Sequence, residues 1–244
     1  MYFSQRSYKT ELLDRDDIPF HDIRRNMAEL NFINTHLGGH KITIDGVKRL
    51  IAGIAPPTEP LLICEIGCGG GDNLLAIHRW CTRKGLTSKF IGIDINPFCI
   101  EVASKRLAAI DVQLITSDFK LTAFKERKPD LIFSSLFCHH FGNDQLVNML
   151  VWMKVNSVRG FFINDLHRHP LAYYSIKLLT QIFSHSYLVK NDAPLSVLRG
   201  FKKKEWKLLL TAAGINQFAV TWKWAFRFLI TSNNQNHPVN VQGT

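Results

Sequence analysis

Hydrophobic and polar positions give the chain three successive textures. Leu12, Leu13, Ile18 and Phe20 lead into Ile23, Met27, Leu30 and Ile33, apolar residues three and four apart. That period predicts helices over residues 11–53. Gly38 and Gly39 stop the first helix, and Thr43 or Asp45 caps a second, Val47 to Ala52, before Pro56-Pro57. At Leu61 the texture changes to short continuous apolar runs: LLICEIG, FIGIDIN, VQLITSD, PDLIFSSLF and GFFINDL. Between the runs lie DNLLAIHRWCTRKG, PFCIEVASKRLAAI and DQLVNMLVWMKVN, which carry the helical period. Strands without alternation are buried on both faces, and strand–helix alternation predicts a parallel sheet. After Leu166 the alternation stops. Residues 167–200 form an insertion with a helix from Leu171 to Phe183, and a further helix runs from Lys203 to Ala213. QFAVTWK and WAFRFLIT, joined almost directly, predict a closing hairpin that reverses one strand.

The expected fold is therefore α/β: a Rossmann-like seven-stranded sheet with one antiparallel strand, a helical N-terminal preface and a helical cap insertion. The expected divisions are an N-terminal helical lid at 1–58, a main domain at 59–231 that includes the 167–200 cap, and a polar, disordered tail at 232–244.

Composition narrows the function. With 244 residues, 46% hydrophobic and 20% charged, the chain suits one ordinary globular domain. No apolar run approaches the roughly 18–20 residues of a spanning helix. The start, MYFSQRSYKTELLDRDD, lacks the apolar core of a signal peptide. Five cysteines (64, 68, 81, 99 and 138) without a C-x-x-C pair or zinc-type Cys/His spacing predict free thiols, a cytoplasmic setting and no metal. The formal net charge is +10, and it is lopsided: residues 1–122 carry 15 Lys and Arg against 14 Asp and Glu, residues 123–244 carry 15 against 6. Solubility accounts for such a balance, as does an acidic partner, a phosphate-bearing ligand or an anionic membrane surface.

The sharpest motif is Glu65-Ile66-Gly67-Cys68-Gly69-Gly70-Gly71-Asp72, where the first strand turns into a helix. Glycines at 67, 69 and 71 permit a tight turn and close approach of a ligand to the backbone. A dinucleotide fingerprint, G-x-G-x-x-G, would need glycine where Asp72 stands. An acid there repels a pyrophosphate, and Glu65 before the glycines likewise suits a cation.

In this the sequence resembles the class I S-adenosylmethionine-dependent methyltransferases, over roughly residues 60–231. Their first motif is an acid followed by G-x-G-x-G, and the reversed seventh strand is their topology. The resemblance implies S-adenosylmethionine as cofactor, held by Glu65, Gly67, Cys68, Gly69, Gly71 and Asp72. It further implies that Asp94 binds the ribose hydroxyls, that Ile95 covers the adenine, and that Asp118 accepts from the adenine amino group with Phe119 beside the ring. Ser135, after the fourth strand, completes the cofactor set.

Methyl transfer is an in-line displacement, so the protein aligns the acceptor and excludes water, and an oxygen acceptor gains from a base. His139 and His140 in SSLFCHHF are candidate bases, with His167 or His169 in NDLHRH as alternatives. Arg168 is a candidate for holding an acidic or phenolate oxygen. The HHF ending resembles the quinone and small-molecule branch, not the base-modifying branch with its (Asp/Asn)-Pro-Pro-(Tyr/Phe). Tyr173, Tyr174, Phe183 and Tyr187 are expected to supply flat walls for the acceptor. The segments E-L-L-D…L-N-F-I-N-T-H-L-G-G and D-A-P-L-S-V-L-R-G-F resemble bacterial methyltransferases of aromatic polyketide pathways. The implied function is O-methylation of a small phenolic or polyketide-like acceptor. RNA methylation and a non-catalytic S-adenosylmethionine-binding protein are the alternatives. Lys202, Lys203, Lys204 and Lys207, with Arg199, crowd a helix start, where cations are unfavourable. That suggests an acidic carrier protein or an anionic membrane surface as partner.

Overall fold

The computed structural model describes residues 3–15, 17–53 and 59–234. Among these, the parallel strands are β1 (Leu61–Ile66), β2 (Ser88–Asp94), β3 (Val112–Thr116), β4 (Leu131–Ser135) and β5 (Gly160–Leu166). β6 (Ala219–Lys223) and β7 (Arg227–Asn233) form the predicted hairpin, and β7 runs antiparallel to both β5 and β6. The order across the sheet is β3-β2-β1-β4-β5-β7-β6. The order reverses between β1 and β4, so the crevice beyond their carboxyl ends is where an open α/β sheet binds ligands.

Alternate residues of the apolar runs serve opposite faces, which is why the runs are continuous. Ile63, Phe133, Phe162 and Leu229 face one layer, made by α2 (Gly39–Ile51), α3 (Asp72–Arg83) and α4 (Pro97–Arg106) through Ile42, Val47, Leu50, Leu74, Ile77, Ala103 and Leu107. Cys64, Ile132, Phe161, Ile163 and Ile230 face the other, made by α5 (Asn143–Asn156) and α8 (Lys203–Ala212) through Leu146, Met149, Met153, Trp206 and Leu210. The Phe133 and Phe162 rings stack across β4 and β5 with centroids 4.8 Å apart.

The preface divides differently from the expectation. α1 (Phe20–His36) ends as predicted, but α2 starts at Gly39, with Gly38 left-handed at φ 75° just before it. Ile42, Val47 and Leu50 then fall on one stripe that covers β5 and β7. A Cβ at Gly46 would stand 2.4 Å from the Phe162 ring, so the absence of a side chain lets α2 lie directly on the sheet. α2 is therefore part of the main domain, and the lid proper is the segment before it.

The cap holds two helices, α6 (Pro170–Phe183) and α7 (Tyr187–Arg199), where the periodicity predicted one. Pro194 lies inside α7 and hides its helical character from a sequence reading. Lid and cap are latched. The Glu29 carboxylate of α1 accepts from Ser184 Oγ, from His185 N at 3.1 Å and from Ser186 N at 3.4 Å. Asp192 of α7 accepts from Leu12 N at 2.8 Å and Leu13 N at 2.9 Å. At the other end β7 continues to Asn233, and Asn234 donates from Nδ2 to the carbonyls of Lys154 and Ser157. Residues 232–234 thus belong to the sheet region, while the rest of the expected tail, 235–244, lies outside the described residues. No described helix is long and apolar enough to cross a membrane.

Candidate active site

The glycine turn is built by main-chain bonds. Gly67 N and Cys68 N both donate to Ile93 O, at 2.8 and 3.1 Å, which ties the end of β1 to β2. Gly67 (φ 67°) has the Phe137 ring against it, 2.3 Å from where a Cβ would stand. Gly69 (φ 51°) faces open space, with no atom within 4 Å of a Cβ position. Its N–H donates to Asp94 Oδ2 at 2.8 Å, and Asn96 N donates to Asp94 Oδ1 at 2.9 Å. The acid at the end of β2 therefore shapes the glycine turn itself. Burial raises the Asp94 carboxyl above its usual range, against the pull of these backbone donors.

Glu65 is buried at 1% exposure on β1. Its Oε1 accepts from Asn73 Nδ2 at 2.9 Å, while its Oε2 is buried with no hydrogen-bond partner. Burial pushes the carboxyl well above the usual carboxylate range. Asp72 is engaged by the Arg106 guanidinium, which also donates to Gly70 O at 2.9 Å. Its charge is thus partly answered within the chain, and of the two acids Glu65 is the one left for a cation.

These residues line one cavity of about 1090 Å³ above the sheet. That exceeds the ~300–1,000 Å³ usual for a single small ligand, so it has room for two. Glu65, Gly67, Cys68, Gly69, Asp72, Asp94, Ile95, Asp118, Phe119 and Ser135 all stand on its wall. Gly71 does not; it caps α3 behind the loop, with a Cβ position 2.6 Å from Leu107. Ile95 is 71% exposed, as a cover for a flat ring requires. Asp118 accepts from Lys120 N at 3.0 Å and sits 3.7 Å from Lys120 Nζ. Phe119 is mostly core: it packs edge-on against Trp152 and Phe141. Ser135 Oγ accepts from Asn164 Nδ2 at 3.2 Å.

The histidine pair divides its work. His139 is buried on the cavity wall, and its Nδ1 pairs with Asp165 Oδ1 at 2.8 Å. Burial alone would raise the Asp165 carboxyl; the His139 ring and the Leu166 amide (2.7 Å) outweigh it and hold the group below the usual range. An ionised Asp165 fixes the proton on Nδ1 and leaves Nε2 as the basic nitrogen. Nε2 lies 3.7 Å from Glu11 Oε1. His140 Nδ1 pairs with Asp14 Oδ1 at 3.2 Å. Glu11, His139 and His140 each bring one atom able to bind a metal, and the three lie within 4.8 Å of one another. Arg199 adds a positive charge there, 3.8 Å from Glu11 Oε1 and 3.4 Å from Asp14 Oδ2.

Two arginines hold the turn that carries the pair. Arg199 donates to the carbonyls of His139 (3.1 Å) and His140 (2.9 Å), and Arg6 to those of His139 (3.3 Å) and Phe141 (3.0 Å). Arg6, Glu11, Asp14 and Arg199 escape a motif search because each is one residue in an ordinary segment. The only signal was the pairing of the E-L-L-D and D-A-P-L-S-V-L-R-G-F segments, which now meet: Ser196 Oγ donates to Glu11 Oε1 at 2.8 Å.

Other expected site residues stand elsewhere. His167 is not on the cavity wall; it packs against Phe228, with ring centroids 4.7 Å apart. Its Nδ1 is buried without a partner, and burial pulls the ring down to about 4. His169 Nδ1 caps α6 by accepting from Leu171 N at 3.2 Å. Arg168 donates to the carbonyls of Phe3, Ser4 and Gly200 and to Glu205, which leaves it no oxygen of a ligand to hold. The cap tyrosines and Phe183 do not reach the cavity either. One face of α6, Ala172, Ser175, Ile176 and Leu179, lines it, and Tyr173 packs instead on Phe3. The flat walls come from Phe137, Trp224 and Phe226. At the lysine cluster, Glu205 in the first turn of α8 accepts from the Lys202 backbone N at 2.6 Å, while Arg199 is buried in the site and not beside the lysines.

The neutral His167 makes the fold sensitive to acid. Its folded pKa lies below the unfolded value, so the unfolded chain binds more protons and stability falls as pH drops from about 6.5 toward 4. His167→Phe is expected to narrow the gap between melting temperatures at pH 8 and pH 5. An unchanged gap would place the acid sensitivity elsewhere.

Topology, glycine turn and the acids at successive strand ends define the class I methyltransferase fold. Solved structures agree on the fold. The plantazolicin methyltransferase in complex with a monoazolic desmethyl analogue and S-adenosylhomocysteine has a TM-score of 0.62 at 16% identity, covering 87% of this chain and 90% of that one. Magnesium protoporphyrin IX methyltransferase from Synechocystis PCC 6803 with bound S-adenosylhomocysteine gives 0.56 at 15%, covering 91% and 90%. Human N-acetylserotonin methyltransferase in complex with S-adenosylmethionine gives 0.59 at 16%, covering 87% and 56%. A search of curated proteins returns no match. Residues 63–155, which carry the glycine turn, Asp94, Asp118 and His139, match the family described as a methyltransferase domain. Over those residues the chain resembles the S-adenosylmethionine-dependent methyltransferases, and its sheet has the class I topology. The site suits that cofactor: Glu65 Oε2 is an orphaned acceptor for its ammonium, and Gly69 leaves the cradle open.

Proposed function

We propose that the chain methylates a small aromatic acceptor at a phenolic oxygen, with His139 as the base. The observation that carries this is the buried Asp165–His139 pair on the cavity wall. The bound cofactor supplies an electrophilic methyl group on a sulfonium. Asp94 and the glycine turn position its nucleoside part, and Glu65 meets its ammonium. Phe137, Trp224 and Phe226 sandwich a flat acceptor, and lid and cap exclude water. Asp165 keeps the His139 proton on Nδ1, so Nε2 takes the proton of the acceptor hydroxyl as the oxygen attacks. Glu11, raised by burial above its usual range despite His140, Ser196 and Arg199, lies beside Nε2 and is suited to receive that proton. Of the neighbours in fold, one is named for N-acetylserotonin and one for magnesium protoporphyrin IX, both cyclic small molecules. The test is turnover with a panel of phenols and quinols. S-adenosylhomocysteine release with the new methyl on oxygen is expected, and a methyl found on carbon or nitrogen would refute the oxygen assignment.

A further inference from the structure

We propose that Arg227 is the seat of a carboxylate carried by a ligand of the cavity. The proposal deepens the reading of this cavity as the joint site of cofactor and acceptor, and it rests on that reading but not on the choice of base. Arg227 is the first residue of β7, is 3% exposed and lines the cavity. Its Nη1 is buried with no hydrogen-bond partner. The other deeply buried arginines are different. Arg6, Arg168 and Arg199 each spend their donors on backbone carbonyls and nearby acceptors of the chain.

The chain gives Arg227 a nearby charge, Asp165, but no hydrogen-bonded anion. Asp165 is the acid that acts on Arg227; its Oδ1 is taken by His139 and the Leu166 amide, and its Oδ2 is buried without a hydrogen bond to Arg227 or any other group. Burial brings the Arg227 guanidinium down to about 10, with Asp165 pulling the other way, so it is cationic at neutral pH. Asn34, also on the cavity wall, stands next to it. The point where a Gly39 Cβ would lie is 1.7 Å from Asn34 Oδ1 and 2.8 Å from Arg227 Nη1, and only a glycine leaves both in place. A buried guanidinium with an unpartnered N–H is costly, and its planar fork of donors matches a carboxylate in two-point contact. Two sources share this chemistry: a carboxylate on the aromatic acceptor, and the amino-acid end of the cofactor.

Two pairs of probes separate them. 2,4-Dihydroxybenzoate and resorcinol differ only in a carboxylate, as acceptor analogues tested with S-adenosylhomocysteine saturating. S-Adenosylhomocysteine and 5′-methylthioadenosine share the thioether nucleoside, and only the first has the amino-acid end. Calorimetry on the wild type, Arg227→Met and Arg227→Lys is expected to show one pair whose affinity ratio falls at least tenfold in Arg227→Met. In Arg227→Lys, which keeps the charge and loses the fork, that ratio falls by less. The pair that responds identifies the source. Ratios in both pairs that neither variant moves would overturn the proposal. If the cavity reading is what fails, it shows separately, as a wild type that binds neither thioether nucleoside.

Discussion

Asp94→Ala is expected to lower S-adenosylmethionine affinity by about 100-fold or more. A carboxylate that accepts from two ribose hydroxyls makes two charge-assisted bonds, each about 1.5–3 kcal/mol, and about 1.4 kcal/mol is a factor of ten. The structure adds a second cost. Asp94 also accepts from Gly69 N and Asn96 N, so its loss removes the bonds that shape the glycine turn. Gly69→Val is expected to abolish measurable binding: φ is 51° there, which a β-branched residue resists, and its side chain would enter the open cradle. Titration calorimetry, with thermal melts to show that both variants fold, is the check. Affinities within threefold of wild type would mean that the cofactor does not lie across this turn.

Asp165→Asn is expected to reduce kcat by about 10²–10⁴-fold, the usual worth of a positioned base, while S-adenosylmethionine affinity stays within about threefold. The amide has a donor as well as an acceptor, so it no longer specifies which His139 nitrogen carries the proton. His139→Ala is expected to cost a similar factor, and the double variant little more, because the two residues act as one unit. Steady-state kinetics with a phenolic acceptor reads this out. Independent, multiplying losses would show that Asp165 acts other than through His139.

Most of the sheet was legible because its strands are continuous apolar runs broken by helical periods, and both signals are local. That the glycine turn, Asp94 and Asp118 share one cavity was legible for the same reason: each ends a strand, and strand ends converge in this topology. The acceptor half was not. His139 and His140 both stand on the cavity wall, but nothing local shows that Asp165 meets His139 and not His167. Glu11 and Arg199 are 188 positions apart in the chain and meet only because the cap folds back over the lid. The cap tyrosines were misread because an aromatic residue on a helix does not show by itself which face is turned inward; the small and aliphatic residues of α6 take that face. Part of the charge of the basic second half is internal: Arg168, Arg199 and Arg227 are all buried, so Arg199 does not extend the surface of the lysine cluster.

The distribution of transferred label tests the central claim most directly. Purified protein is incubated with methyl-labelled S-adenosylmethionine and a cell extract, and the label is counted in small-molecule, RNA and protein fractions, with His139→Ala in parallel. Label is expected in the small-molecule fraction with the wild type and to fall at least about 100-fold in the variant. Label in RNA or protein, or a small-molecule signal that His139→Ala leaves unchanged, would contradict the account.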